Sequence, residues 1–381
     1  MPGRPSFGLL LSTTIFVAVS PAWAGVINPD ISVIGQPFTR WTDALDDPAR
    51  KRLDLDVGEV ELVFDADLNP YARGTIVGSI GQDGLELEEG YFAMTRGLPL
   101  GLAVKGGKYR LGFGKLNPIH PHALPFAERF QVLAEYLPGE ESFNETAVQV
   151  SELFALPGDV AVTLSADWLQ GDSFRIERGP TGAANDPQLA DPAGDRADEP
   201  RPAGLGRLSA FLPWGDRSGL ELGVSGTEGT NNVAAGTRTR VLGADFKGKL
   251  WTAPRAYLLV QGELLRLDRE VAGWDSVAAA YTRTEVDPIG LYLYADYNFE
   301  TRYDVGAGYE RFQASDVDAT WNQALRAFVG LALMEETTAF RLDWERSLPG
   351  RPPGATEAPE AVDTFTLRVV FSMGPHKAHQ F

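Results

Sequence analysis

The 381-residue chain has no cysteine, only four histidines and four methionines, and 34 lysines and arginines against 52 aspartates and glutamates. Each shortage excludes something. Without cysteine there is no disulfide framework and no thiolate metal centre. A formal charge of -18 disfavours nucleic acid as a partner. Beyond the first two dozen residues, no apolar run approaches the roughly 18–20 residues that a membrane-crossing helix needs. No repeat of fixed length is visible, which counts against a propeller or a solenoid.

The N-terminal residues read as an export signal. Arg4 gives a positive start, Phe7 to Val19 is mostly apolar, and Ala22-Trp23-Ala24 is a small-x-small cleavage site. Cleavage after Ala24 leaves a single domain over 25–373 and a short tail over 374–381.

What the chain does have is alternation of period two. Leu291, Leu293, Ala295, Tyr297 and Phe299 share one face of an extended segment, and Tyr292, Tyr294, Asp296 and Asn298 share the other. After a turn at Glu300–Thr301, Tyr303, Val305, Ala307 and Tyr309 alternate with Asp304, Gly306, Gly308 and Glu310. This is an antiparallel hairpin. Its aromatics gather at the turn, as they do where rings settle at the depth of lipid headgroups. Fourteen further segments alternate likewise, from Asp30–Gln36 to Thr364–Met373, and the connections between them are alternately short and mostly longer. Trp274–Arg283 is placed in a loop, because counting it as a strand would invert that alternation. A mean hydropathy of -0.15 hides such a membrane face, since every second residue is polar. The alternative with the same pattern is a soluble all-β repeat protein.

With its signal peptide, the 290–312 hairpin and the ending Thr364-Phe365-Thr366-Leu367-Arg368-Val369-Val370-Phe371, the chain resembles the Gram-negative outer-membrane porins, including the phosphate-selective group. The resemblance implies an all-β, transmembrane antiparallel barrel of about sixteen strands, fourteen and eighteen being the neighbouring even counts. It also implies a place in the outer membrane of a Gram-negative bacterium, contact with outer-membrane lipid and with the barrel-assembly machinery, and an arrangement compatible with a homotrimer. The ending resembles the assembly signal of such barrels. Phe371 closes its alternating strand and Phe381 ends the chain, so either supplies the final aromatic.

Charges that alternate with apolar residues belong on the lumen side, because on the lipid face a basic residue would cost about 2–4 kcal/mol near the midplane and an acidic one somewhat less. These are Glu59, Glu61, Asp65, Glu86, Glu88, Lys108, Arg110, Arg341, Asp343 and Glu345. They are expected to line a pore and orient polar solutes, or to pair and stiffen a wide barrel. The external loop 114–141 carries Pro118, Pro121 and Pro125, then Phe126, Phe130, Leu133 and Leu137 at helical spacing. An amphipathic helix there must bury its apolar face, and the reading preferred is a loop folded into the lumen; a helix over the rim is the other. The acidic, Pro/Gly-rich segments 171–203 and 347–363 read as surface loops.

All four histidines fall in two clusters, His120-Pro-His122 and His376-Lys-Ala-His379. Paired imidazoles suit a divalent metal, zinc first, and the expectation is that all four converge inside the barrel. The alternative is ordinary loop histidines. The expected activity is passive passage of small hydrophilic solutes with no enzymatic step and no required cofactor. The other readings are a structural, adhesive or metal-binding barrel. An outer-membrane hydrolase is less favoured: no histidine falls on a strand and no Gly-x-Ser-x-Gly is present.

Overall fold

The computed structural model describes residues 28–374 apart from 83, 140–141, 176–200, 234, 276, 279, 317 and 335–336. The proposed signal and the tail histidines therefore lie outside the described residues, as does most of 171–203. Among the described residues, sixteen strands close one antiparallel barrel. The first eight are β1 (Asp30–Gly35), β2 (Val60–Asn69), β3 (Ala72–Gly81), β4 (Gly84–Met94), β5 (Ala103–Arg110), β6 (Asn144–Leu156), β7 (Val160–Leu169) and β8 (Ala203–Trp214). The rest are β9 (Ser218–Asn232), β10 (Thr237–Ala253), β11 (Ala256–Asp275), β12 (Ile289–Phe299), β13 (Tyr303–Gln313), β14 (Trp321–Met334), β15 (Thr338–Leu348) and β16 (Val362–Met373). Each pairs with its sequence neighbours, and β1 shuts the ring. It pairs with β2 from Asp30↔Asp65 to Gly35↔Val60, and with β16 from Val33↔Met373 to Gly35↔Phe371. Closure removes the free edges that an open sheet would expose.

The alternation is inverted relative to a water-soluble fold. Along β14, Leu325, Val329 and Leu333 are exposed while Ala324, Arg326 and Phe328 are buried. Along β16, Phe365 and Leu367 face out, and Thr366 and Arg368 face in. An apolar exterior around a charged interior is stable where lipid surrounds it, so the chain spans a membrane as a barrel. The 290–312 hairpin pairs as the periodicity predicts, Gly290↔Phe312 to Phe299↔Tyr303. At its turn, Phe299 stacks against Tyr297 and Tyr303 with centroids 6.0 and 5.2 Å away.

Two connections are more ordered than loops. Residues 38–42 continue along β16, pairing with 364–368, and 53–56 pair back onto 38–41. The 37–57 connection is thus a hairpin that carries the wall onward. Ala280–Val286 pairs with the end of β11 from Arg269↔Val286 to Asp275↔Ala280 and lies outside the ring, so the loop placement of this region keeps the strand parity, although the segment is extended.

The seam between the first and last strands depends on an aromatic over a glycine. A Cβ on Gly35 would stand 2.3 Å from Cζ of Phe371, its register partner. The ring therefore occupies the space of the missing side chain, as aromatics do beside strand glycines. Phe371→Ala is expected to cost roughly 2–3 kcal/mol, less than a core truncation because the ring is partly exposed. It should lower the yield of heat-modifiable barrel on gels more than Phe381→Ala does. Loss of assembly on removing 374–381 alone would place the assembly signal in the tail instead.

Candidate functional site

The 111–143 segment leaves β5, enters the barrel and returns to β6. Its neck is tied by Asn117, whose side-chain amide donates to the carbonyls of Leu111 (2.8 Å) and Phe143 (2.9 Å) and accepts from Phe143 N–H (2.9 Å). Gly114 has a φ of +61°, in the left-handed region, and a Cβ there would strike the Glu263 carboxylate. Glycine thus lets the backbone approach β11 closely. Glu263 Oε1 then accepts from the N–H groups of Lys115 (2.8 Å) and Leu116 (2.9 Å).

The apolar residues of the loop are buried as their spacing requires, but the expected helix is mostly absent. Only Gln131–Tyr136 is α-helical, and Phe126 lies before it. The prolines that precede it remove backbone donors and disfavour helix for the residues before them. Phe126, Phe130, Leu133 and Leu137 are all buried. Phe130 stacks on Tyr292 of β12 (4.4 Å between centroids), and Phe126 meets Tyr294 (5.2 Å) and Phe328 (5.7 Å). The loop is therefore inside the lumen, packed against the β12–β14 wall.

Wall charges complete the attachment. Arg368 of β16 donates to the carbonyls of Pro121 (3.1 Å), Leu124 (3.0 Å), Phe126 (2.8 Å) and Ala127 (3.3 Å). Arg341 donates to the carbonyls of His122 and Leu124, and Asp343 Oδ2 accepts from Ala127 N–H (3.1 Å). Arg326 holds the Glu128 carbonyl and pairs with Glu345. Glu310 accepts from Val132 N–H (3.0 Å). Of the expected pore-lining charges, Arg341 and Asp343 thus serve as loop anchors. Asp65 pairs with Arg73.

On the wall formed by β2 and β4 the two loop histidines meet carboxylates. His122 Nδ1 lies 2.9 Å from Glu61 Oε1. His120 Nδ1 lies 3.1 Å from Glu61 Oε2 and 3.4 Å from Glu88 Oε2, and its Nε2 lies 3.8 Å from Glu89 Oε2. Burial opposes a charge on His120, but Glu61, Glu88 and Glu89 outweigh it and hold the imidazole well above its ordinary range. The two rings are 5.6 Å apart. Arg110 pairs with Glu88 (3.2 Å), and its N–H donates to Glu89 (2.8 Å).

Glu89 was not foreseen, and a β-bulge explains it. In the β3–β4 ladder Val77 pairs with Glu89 but Gly78 pairs with Leu87, so Glu88 is the extra residue. Leu85 and Leu87 face outward before the bulge and Phe92 after it. The bulge shifts the phase, and both Glu88 and Glu89 turn inward toward His120. The adjacent Glu-Glu pair, which breaks the Leu-Glu-Leu-Glu alternation, was the available signal. Arg326, Arg368 and Glu263 also face inward, each beside an outward leucine (Leu325, Leu367 and Leu264), and Glu310 does so between Tyr309 and Arg311. His376 and His379 lie outside the described residues.

Two polar cavities flank the loop. One of about 990 Å³ is bordered by Glu59, Glu86, Glu88, Glu145, Asp172, Lys108 and Arg110. The other, of about 670 Å³, is bordered by Glu59, Glu128, Asp343, Glu345, Arg40, Arg110, Arg129 and Arg368. They share Gly58, Glu59 and Arg110.

No family model matches the chain. An uncharacterized protein of Aquifex aeolicus (strain VF5) is 28% identical over 342 residues, which is 84% of this chain and 69% of that protein. Among solved structures, an anion-selective porin from Comamonas acidovorans aligns with a TM-score of 0.58 at 12% identity, over 91% of this chain and 100% of its own. The outer membrane channel DcaP of Acinetobacter baumannii gives 0.58 at 9% identity, over 91% and 97%. The chain has the fold of the outer-membrane porins.

Proposed function

We propose that the chain is a channel of the Gram-negative outer membrane through which small hydrophilic solutes diffuse, without an enzymatic step and assembled as a homotrimer. The observation that carries the reading is the pair of polar cavities on either side of the lumen loop, meeting at Glu59 and Arg110. A loop that filled the lumen would have favoured a structural barrel. Instead the loop narrows the interior and leaves water-sized space bordered by charge. Counting shared residues once, the two linings carry eight carboxylates (Glu59, Glu86, Glu88, Glu128, Glu145, Asp172, Asp343, Glu345) against five cations (Arg40, Lys108, Arg110, Arg129, Arg368). That excess supports a modest preference for cations.

The test is reconstitution in planar bilayers with reversal potentials read across a salt gradient. The wild type is expected to favour cations. Glu59→Gln, Glu86→Gln and Glu88→Gln together should reduce the reversal potential, with Glu61 left intact to keep its histidine partners. Strong anion selectivity in the wild type would overturn the preference, and a folded barrel with no conductance would overturn the channel.

A further inference from the structure

We propose that Glu61, His120 and His122, with Glu88 from the same wall, form a divalent transition-metal site that staples the lumen loop to β2 and β4. One ligand atom from each of Glu61, His120 and His122 lies within 4.8 Å of the others. Around zinc, donors sit about 2.0–2.2 Å from the ion, so neighbouring donors stand roughly 2.9–3.5 Å apart. His120 Nδ1 is 3.1 Å from Glu61 Oε2 and 3.4 Å from Glu88 Oε2, and His122 Nδ1 is 2.9 Å from Glu61 Oε1. These separations are those of atoms that can share one ion after small side-chain rotations.

A second observation points to a ligand. Glu61 is 1% exposed, yet its Oε2 accepts no hydrogen bond, and His120 Nδ1 makes none. Two buried polar atoms 3.1 Å apart are thus unaligned as donor and acceptor. The two are held by charge without hydrogen-bond geometry, and a metal ion that displaces the proton from His120 would ligate both atoms directly. Two imidazoles with carboxylate oxygen form a donor set for zinc, nickel or copper. The ligands also come from separate elements: the histidines from the loop, Glu61 from β2 and Glu88 from the β4 bulge. A metal there would cross-link loop and wall. The site does not depend on conduction, since a folded barrel that passed no current would still bind the ion.

The experiment titrates zinc calorimetrically into the full chain, folded in detergent and freed of metal with a chelator, with heat-modifiability confirming the fold. The wild type is expected to bind one equivalent. His120→Ala with His122→Ala should weaken binding by at least ~100-fold, beyond the 10–100-fold that loss of an outer-sphere partner brings. Removal of 375–381, which carries His376 and His379, should leave binding unchanged. Where the double variant fails to fold, Glu61→Gln keeps the shape and should weaken binding too. With cobalt as probe, the visible ligand-field band of the wild type should vanish in the variants. Absence of stoichiometric binding in the wild type, zinc binding undiminished in the folded variants, or its loss on removing 375–381 would each overturn the site.

Discussion

Arg368→Met is expected to release the lumen loop and raise single-channel conductance while leaving the barrel wall folded. Arg368 is 4% exposed, and its guanidinium reaches four loop carbonyls, those of Pro121, Leu124, Phe126 and Ala127. The stretch they belong to is proline-stiffened and irregular apart from a 3-10 turn at Pro121–Ala123, where the Pro121 carbonyl accepts from Leu124 N–H (3.1 Å). The carbonyls of Leu124, Phe126 and Ala127 have no helical or sheet partner and depend on the wall. Methionine keeps much of the volume and removes every donor. The cost is that of breaking a buried charged network, about 3–5 kcal/mol, and it falls on the loop because β16 keeps its backbone ladder to β15. Arg341 still holds His122 and Leu124, so the release is partial. Lysine should not rescue, since one ammonium cannot span carbonyls that a planar fork reaches. Conductance in planar bilayers and protease access to 114–139 from the outside measure the effect. A folded variant with wild-type conductance and protection would show that the loop is held elsewhere.

The wall of the barrel could be read from the sequence and the attachment of the loop could not, for a physical reason. Strand pairing follows period two, and a one-residue slip would put the apolar set of every strand on the wrong face. Leu325, Val329 and Leu333 therefore declare the outward face of β14 without any structure. Alternation says nothing of where an inward charge ends. Arg341 and Glu345 look equivalent in sequence, two positions either side of Asp343, yet one clamps the loop and the other borders a cavity. The β4 bulge defeats the pattern outright, because it lets Glu88 and Glu89 face the same way. In the loop, spacing found the right buried residues but the wrong conformation: Phe126 and Phe130 follow helical periodicity while only 131–136 is helix. Periodicity reports which side chains want cover, and the prolines decide the backbone that delivers them. The pairing of His120 and His122 with Glu61 joins residues about sixty positions apart, which no local pattern encodes.

Phe130→Ala is expected to loosen the other side of the same loop. Phe130 is 2% exposed, stacked on Tyr292 at 4.4 Å with planes 11° apart, and in contact with Phe126 at 5.2 Å. Gly308 of β13 makes room for it, since a Cβ there would lie 3.1 Å from the ring. Truncating a buried phenylalanine costs about 3–5 kcal/mol, which includes the ring–ring contribution. The polar ties that remain on this side include Val132 N–H to Glu310, the Tyr136 hydroxyl, which donates to the Gln313 carbonyl and accepts from Gln313 N–H, and Ser315 N–H to Glu135. Each is worth about 1–2 kcal/mol, and none of them covers the apolar surface that the ring buries, so the loop is loosened on this side and not detached. Conductance should therefore rise and fluctuate more, whereas Phe130→Leu, which keeps an apolar side chain in the site, should do less. Combining Phe130→Ala with Arg368→Met separates two kinds of loop. If the loop moves as one body, either loss already permits the motion, and the double variant should exceed the larger single effect only slightly. Fully additive rises in conductance would mean that its two sides move independently, each gating its own cavity.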